Sequence, residues 1–289
     1  MCAKVAIIYD FDGTLSPQPM QEYTVLRQLQ IAPAVFWEEV RQIAYQEQAE
    51  PMLTYMRLIV EYAEKKEIHL SRKNFNDMAA EIEYYPGVKA WFARINNYIT
   101  NECNADIEIN HYIISAGMQE ILEGIDIAKN FKKIYASEYH YDFHGRPTFP
   151  KQLITDTTKT QCLFRINKGR EELFESINEH MPIEDRPVPF TNIIYIGDGM
   201  TDVPSMAVIR ANGGHAIAVY PESKSSQISE NIKICQKLLK AGRVDFIAPA
   251  NYLPNQILEN RVKILLNTII RQIEYQTEVK ECYKQHQLN

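Results

Sequence analysis

The alternation of hydrophobic and polar positions divides the chain into two kinds of segment. It opens with an unbroken apolar run, Val5-Ala6-Ile7-Ile8-Tyr9, that stops abruptly at Asp10, Asp12 and Gly13. A short apolar run without a polar break predicts a strand buried on both faces, as in a parallel sheet. Runs of the same character occupy 111–114, ahead of Ser115-Ala116-Gly117, and 193–196, ahead of Gly197-Asp198-Gly199. Shorter strands are predicted at 134–137, 216–219 and 245–248, and 139–143 with 148–149 read as a hairpin around His144-Gly145. From 17 to 85 the period changes to that of a helix. Phe36, Val40, Ile43 and Ala44 share one face; Met52, Met56, Ile59, Val60 and Ala63 share another, and Phe75, Met78, Ala79 and Ile82 a third. Pro33 and Pro51 suit first turns, and Ser71 suits an N-cap. Further helical stripes include Val88, Trp91, Phe92, Ile95 and Ile99, then Cys162, Leu163 and Ile166, then Ile228, Ile232, Cys235 and Leu239, and finally Leu258, Val262, Leu265, Ile269 and Ile273. The charged, proline-containing stretch 167–190 reads as an exposed helix and loop.

Strands alternating with helices predict an α/β protein with a Rossmann-like three-layer core around a parallel sheet. The strandless helical stretch predicts an inserted all-helical cap. The expected division is a core of 1–16 and 86–289 and a cap of 17–85, in keeping with a 289-residue chain and about 150 residues per domain.

Composition narrows the class of protein. With 45% hydrophobic and 24% charged residues the chain is ordinary globular material. A formal net charge of -6 weighs against nucleic acid or an anionic membrane as the main partner. The five cysteines, Cys2, Cys103, Cys162, Cys235 and Cys282, form no C-x-x-C pair, which predicts reduced thiols in a cytoplasmic protein and no zinc site. No signal-type segment opens the chain and no apolar run approaches about 18 residues, so a soluble, unexported protein is expected. Oligomeric state is not legible at this level.

The chemistry is expected at the carboxyl ends of the strands, where open α/β sheets bind ligands. Asp10, Asp12, Asp198 and Asp202 would crowd one crevice, and a cation is needed to offset their repulsion. Oxygen-only ligands of this kind suit Mg²⁺. The Ser115 hydroxyl, the backbone amides of its strand-to-helix turn and the Lys159 ammonium suit a phosphoryl group. His140, His144 and His215 show no ligand spacing, and Trp37 and Trp91 read as core. Tyr23, Tyr55, Tyr84 and Tyr85 are candidates to line the cap crevice, and Arg57 reads as a solvated helix position.

These motifs resemble those of the haloacid dehalogenase-like hydrolase superfamily. Asp10-Phe11-Asp12-Gly13-Thr14-Leu15 is similar to its first motif and Ile113-Ile114-Ser115-Ala116-Gly117 to its second. Lys159 matches the third, and Gly197-Asp198-Gly199-Met200-Thr201-Asp202 the fourth. The resemblance runs from 5 to about 219, and the helical insert looks like the cap of the phosphoserine phosphatase-like branch. Lys168 also precedes a glycine, but Lys159 follows the hairpin and opens a helix, as the family pattern requires. The resemblance implies a Mg²⁺-dependent phosphatase acting on a small-molecule phosphate ester through an aspartyl phosphate. Asp10 would be the nucleophile and Asp12 the proton shuttle. Thr14, Ser115, Ala116 and Lys159 would bind phosphate, and Asp10, Asp12, Asp198 and Asp202 would hold the metal, Asp12 by its backbone carbonyl. Phosphoserine phosphatases carry a glutamate shortly after the first motif that binds the substrate amine. Here the corresponding stretch is Ser16-Pro17-Gln18-Pro19 and the first glutamate is Glu22, so the substrate stays open. The alternatives are a phosphotransferase of the same superfamily or a non-catalytic protein that binds a phosphorylated ligand.

Overall fold

The computed structural model describes residues 2–102, 107–222 and 230–286. Cys103 and Ile228 lie outside the described residues. Strand β1 (Ala3–Tyr9) leads into two short helical turns, α1 (Met20–Tyr23) and α2 (Val25–Gln28), and three longer helices, α3 (Pro33–Glu47), α4 (Pro51–Lys65) and α5 (Arg72–Met78). Helix α6 (Val88–Glu102) returns the chain to the sheet. Strand β2 (Ile107–Met118), helix α7 (Gln119–Gly124), the hairpin of β3 (Phe131–Tyr141) and β4 (Pro147–Gln152), and helix α8 (Thr158–Lys168) follow. The remainder is β5 (Ile193–Gly197), α9 (Val203–Ala211), β6 (His215–Tyr220), α10 (Glu230–Lys240), β7 (Phe246–Pro249) and the long α11 (Ile257–Gln285).

The seven strands form one sheet in the order β4-β3-β2-β1-β5-β6-β7. All neighbours pair parallel except β3 with β4. β1 lies at its centre, which accounts for its unbroken apolar run. Alternation along the strand sends Val5, Ile7 and Tyr9 into the core on one face and Ala6 and Ile8 into the core on the other. Helices α6 and α11 cover the first face and α8, α9 and α10 the second, giving the three layers. The apolar side chains of the helical insert, among them Phe36, Met56, Ile59 and Phe75, join the core of the first face.

Local signals act where the sequence places them. Pro33 and Pro51 open α3 and α4, and the Ser71 hydroxyl accepts from the Asn74 amide at 3.2 Å to cap α5. The two ends of the insert meet, because the Tyr85 amide donates to the Leu15 carbonyl at 3.0 Å. The third strand is longer than its apolar run suggested, since it continues into the hairpin.

The stretch 167–190 departs from expectation. Beyond the end of α8 at Lys168 it holds no α-helix, only short 3₁₀ turns at Ile183–Asp185 and Phe190–Asn192. Its middle offers no apolar face to bury, with Phe174 exposed, and only Val188 and Phe190 at its end join the core. The loop is held instead by Arg165, a buried side chain whose guanidinium donates to the carbonyls of Glu172 (2.6 Å), Leu173 (3.0 Å) and Glu175 (3.1 Å).

Candidate active site

The sheet delivers its polar groups to one edge. Backbone pairing of β1 continues one residue past the strand, where the Asp10 amide donates to the Ile196 carbonyl at 2.9 Å. The chain then folds back tightly, with the Phe11 carbonyl accepting from the amides of Leu15 (2.9 Å) and Ser16 (3.1 Å). Gly13 makes that turn at φ 77°, and a Cβ there would overlap the Asp198 carboxylate. The residue is glycine both for its backbone and for the space it leaves.

Asp198 and Asp202 follow β5. One carboxylate oxygen from each of Asp10, Asp198 and Asp202 lies within 4.8 Å of the others. Lys159, 1% exposed in the first turn of α8, donates from Nζ to Asp10 Oδ1 at 2.8 Å and to Asp202 Oδ1 at 2.7 Å. The Tyr195 hydroxyl donates to the same Asp202 oxygen at 2.7 Å, and Asp202 Oδ2 is buried without a hydrogen-bond partner. Asp12 stands apart from the cluster and accepts the Met20 amide on Oδ1 at 2.9 Å. Ser115 accepts the Gly117 amide on Oγ at 3.0 Å, which leaves its hydroxyl proton to donate. Lys168 is employed elsewhere, donating to the carbonyls of Ile177 (2.6 Å) and Glu179 (2.7 Å).

A cavity of about 380 Å³ opens above these groups. Its floor is Asp10, Asp12, Ser115, Ala116, Gly117, Lys159 and Asp198, and the insert contributes Gln21, Glu22, Trp37, Arg41, Met52 and Tyr55. Hollows of about 400 Å³ beside Tyr23 and about 490 Å³ beside Arg186 carry exposed charged side chains, Asp77 and Glu81 in the first and Glu184 and Lys280 in the second. Thr14 is not part of the cavity lining. It is fully buried, its Oγ1 has no partner, and its carbonyl accepts from Tyr252 at 2.9 Å.

Several cavity residues escaped the sequence reading. Trp37, expected in the core, is only partly buried and donates from Nε1 to Glu22 Oε1 at 2.8 Å at the cavity wall. Phe36, its neighbour, is the buried residue of the helix stripe, and the indole next to it packs at the edge of the core. Of the four tyrosines considered, Tyr55 lines the cavity. Arg57 lies on the exposed surface as expected, paired with Glu47 (2.9 Å) and Glu61 (3.3 Å). Tyr195 carried no signal beyond its place in an apolar strand.

Crowding sets the protonation states. Burial, opposed by Lys159, raises the Asp10 carboxyl to about 6, and burial with repulsion from Asp10 and Asp202 raises Asp198 to about 8. Burial, then repulsion from Asp10, holds Asp12 well above the usual carboxylate range. Lys159 stays charged despite burial because Asp10 and Asp202 flank it. Unfolded aspartates titrate at about 3.9, so between about pH 4 and 8 these two carboxyls bind more protons in the metal-free folded state than in the unfolded one. Their contribution to stability is therefore fully present below about pH 4 and is lost as pH rises through 6 towards 8. Denaturant midpoints in EDTA should fall from pH 5.5 to 8, and fall less in Asp198→Asn. Parallel profiles for the two proteins would contradict this account.

The family model for haloacid dehalogenase-like hydrolases matches residues 7–207, and the chain belongs to that family. A curated relative, an uncharacterised protein of Borreliella burgdorferi, is 27% identical over 277 residues, covering 89% of this chain and 94% of the relative. Among solved structures, a phospho-aspartyl intermediate analogue of phosphoserine phosphatase superposes with a TM-score of 0.54 at 16% identity, covering 91% of this chain and 99% of the other. A haloacid dehalogenase-family hydrolase of Salmonella enterica serovar Typhi superposes with a TM-score of 0.52 at 15% identity over 75% of this chain. The match spans 63% of that hydrolase, less than two thirds of its length. At these identities the structural likeness establishes the fold. Among the described residues, no helix is long and apolar enough to cross a membrane.

Proposed function

We propose that the protein is a Mg²⁺-dependent phosphatase that hydrolyses a small-molecule phosphate monoester through an aspartyl phosphate on Asp10. The observation that carries this reading is the Lys159 ammonium held between Asp10 and Asp202, with Asp198 beside them, on the floor of a cavity sized for a small organic ester. Three close carboxylates and one lysine leave net negative charge. The clustered carboxylate oxygens and the partnerless Asp202 Oδ2 fit a hard divalent cation. Asp10 and Asp198 would hold it, with the Asp12 carbonyl and with Asp202 close by. When bound, it would neutralise charge on the transferring phosphoryl group.

The remaining roles belong to the chain's own residues. Lys159 fixes Asp10 so that its other oxygen, Oδ2, can attack phosphorus, forming the Asp10–phosphorus bond as the ester P–O bond breaks. Asp12, whose carboxyl burial and Asp10 push towards the protonated form, would give its proton to the leaving oxygen. Asp12 then takes a proton from the water that attacks the phosphorylated Asp10, releasing inorganic phosphate and restoring both carboxyl groups. Ser115, the amides of its turn and Lys159 would donate to the non-bridging phosphoryl oxygens. The helical insert of 17–85 would serve as the cap, excluding water and contacting the organic group with Glu22, Trp37, Arg41 and Met52.

A panel of amino-acid, sugar, nucleotide and choline-type phosphate esters, together with an aryl phosphate, tests the reading. Phosphate release is expected in Mg²⁺, and EDTA should abolish it reversibly. Release that is indifferent to EDTA would remove the metal from the proposal, and no release from any ester would remove the phosphatase reading.

A further inference from the structure

We infer that Tyr55, on the helical insert, is a positioning residue that orients the Ser115 hydroxyl through the peptide group between Ala116 and Gly117. The inference rests on the phosphatase reading for its kinetic consequence, and on the structure alone for its geometric one. Tyr55 is 1% exposed on α4, and its hydroxyl donates to the Ala116 carbonyl at 3.0 Å across the boundary between insert and sheet. That carbonyl belongs to the same rigid peptide plane as the Gly117 amide. The Gly117 amide donates to Ser115 Oγ at 3.0 Å. One end of the plane is therefore held by Tyr55, and the other selects which way the serine oxygen faces.

The directions along this chain are fixed by donor and acceptor identity. A carbonyl only accepts, so the tyrosine hydroxyl must donate to it. An amide only donates, so Ser115 Oγ must accept there and keeps its own proton for the cavity. No other group does the work of Tyr55 equally well. The Ser137 hydroxyl also donates to the Ala116 carbonyl, but at 3.4 Å, the longer and weaker of the two contacts. The neighbouring amide relies on the insert as well, since Met118 donates to the Met20 thioether sulfur at 3.2 Å. A Cβ on Gly117 would overlap the end of that methionine side chain. The turn is thus completed by residues the insert contributes.

Tyr55→Phe removes the hydroxyl and keeps the ring that packs edge-on against Trp37 at 5.9 Å. The expected result is a loss on the order of tenfold in kcat/KM for p-nitrophenyl phosphate in Mg²⁺, carried mainly by kcat, because one hydrogen bond orienting a transition-state donor is lost. The backbone amides of Gly117 and Met118 should exchange with deuterium several-fold faster in Tyr55→Phe, while those of β5 exchange as in the wild type. Wild-type kinetics in Tyr55→Phe, or unchanged exchange at Gly117 and Met118, would overturn the inference. A wild-type protein that hydrolyses no ester would overturn the phosphatase reading instead, and the exchange comparison would still decide whether Tyr55 holds the turn. Equal acceleration of exchange throughout the sheet would mark a general loss of stability and would also overturn the positioning role.

Discussion

Asp10→Asn is expected to lower kcat for aryl phosphate hydrolysis by a factor on the order of 10⁴ or more while the protein stays folded. The asparagine amide is nearly the size and shape of the carboxylate, so the packing around it is preserved. It cannot form the phosphoryl-enzyme bond. It also cannot pair as a charge with Lys159, which now sits 2.8 Å from Asp10 Oδ1. Initial rates in Mg²⁺ at saturating substrate, with a melting curve of each protein, make the comparison. Activity within tenfold of wild type would remove Asp10 from the nucleophilic role and with it the aspartyl phosphate.

Lys159→Met is expected to have the second largest effect, on stability as well as rate. Methionine matches the length of the aliphatic stem but removes the one cation between Asp10 and Asp202, both nearly solvent-free. Breaking a buried ion pair from one side leaves its partners unpaired and costs about 3 kcal/mol or more. Protonation relieves part of the cost, because Asp10 already titrates near 6 for reasons of burial. The loss in EDTA should therefore be larger at pH 8 than at pH 5.5. Mg²⁺ should recover part of it by occupying the same negative ground. Turnover should fall on the order of 10³-fold, since a fixed charge on the phosphoryl oxygens is lost. Denaturant midpoints at the two pH values, with and without Mg²⁺, separate these effects. Equal stability of mutant and wild type at pH 8 in EDTA would mean that the ion pairs contribute nothing to the fold.

Much of this site is legible in the sequence because its residues sit at the ends of apolar runs. Asp10 and Asp198 each directly follow a buried strand, Ser115 lies within the last four residues of β2, and parallel pairing brings these ends to one edge. Lys159 was legible from its place after the hairpin and at the head of a helix, and the structure puts it, and not Lys168, against Asp10. The insert was harder to read. Helical periodicity identifies which face is buried but not what lies across it, so Trp37 read as core although it borders the cavity. Gln21 and Glu22 lie in a short turn with too few residues for any period to show. The loop after α8 was misread because its order comes from one guanidinium gathering carbonyl groups. Charge and proline content cannot reveal that arrangement.

The central place of β1 has a consequence for how the chain is made. Its partners are β2, beginning about one hundred residues later, and β5, nearly two hundred later. During synthesis β1 would emerge well before either neighbour, because Ile196, which receives the Asp10 amide, is still unmade when the insert and the hairpin have left the ribosome. Within the insert α3 and α4 pack on each other and can pair early, whereas the sheet's middle must be closed by long-range pairing, the slow part of folding. A nascent chain that ends before β5 would carry Asp10, Asp12, Ser115 and Lys159 with one edge of the central strand unpaired. Asp10 and Asp12 are thus translated well before Asp198 and Asp202, and the reaction centre closes only when β5 pairs with β1.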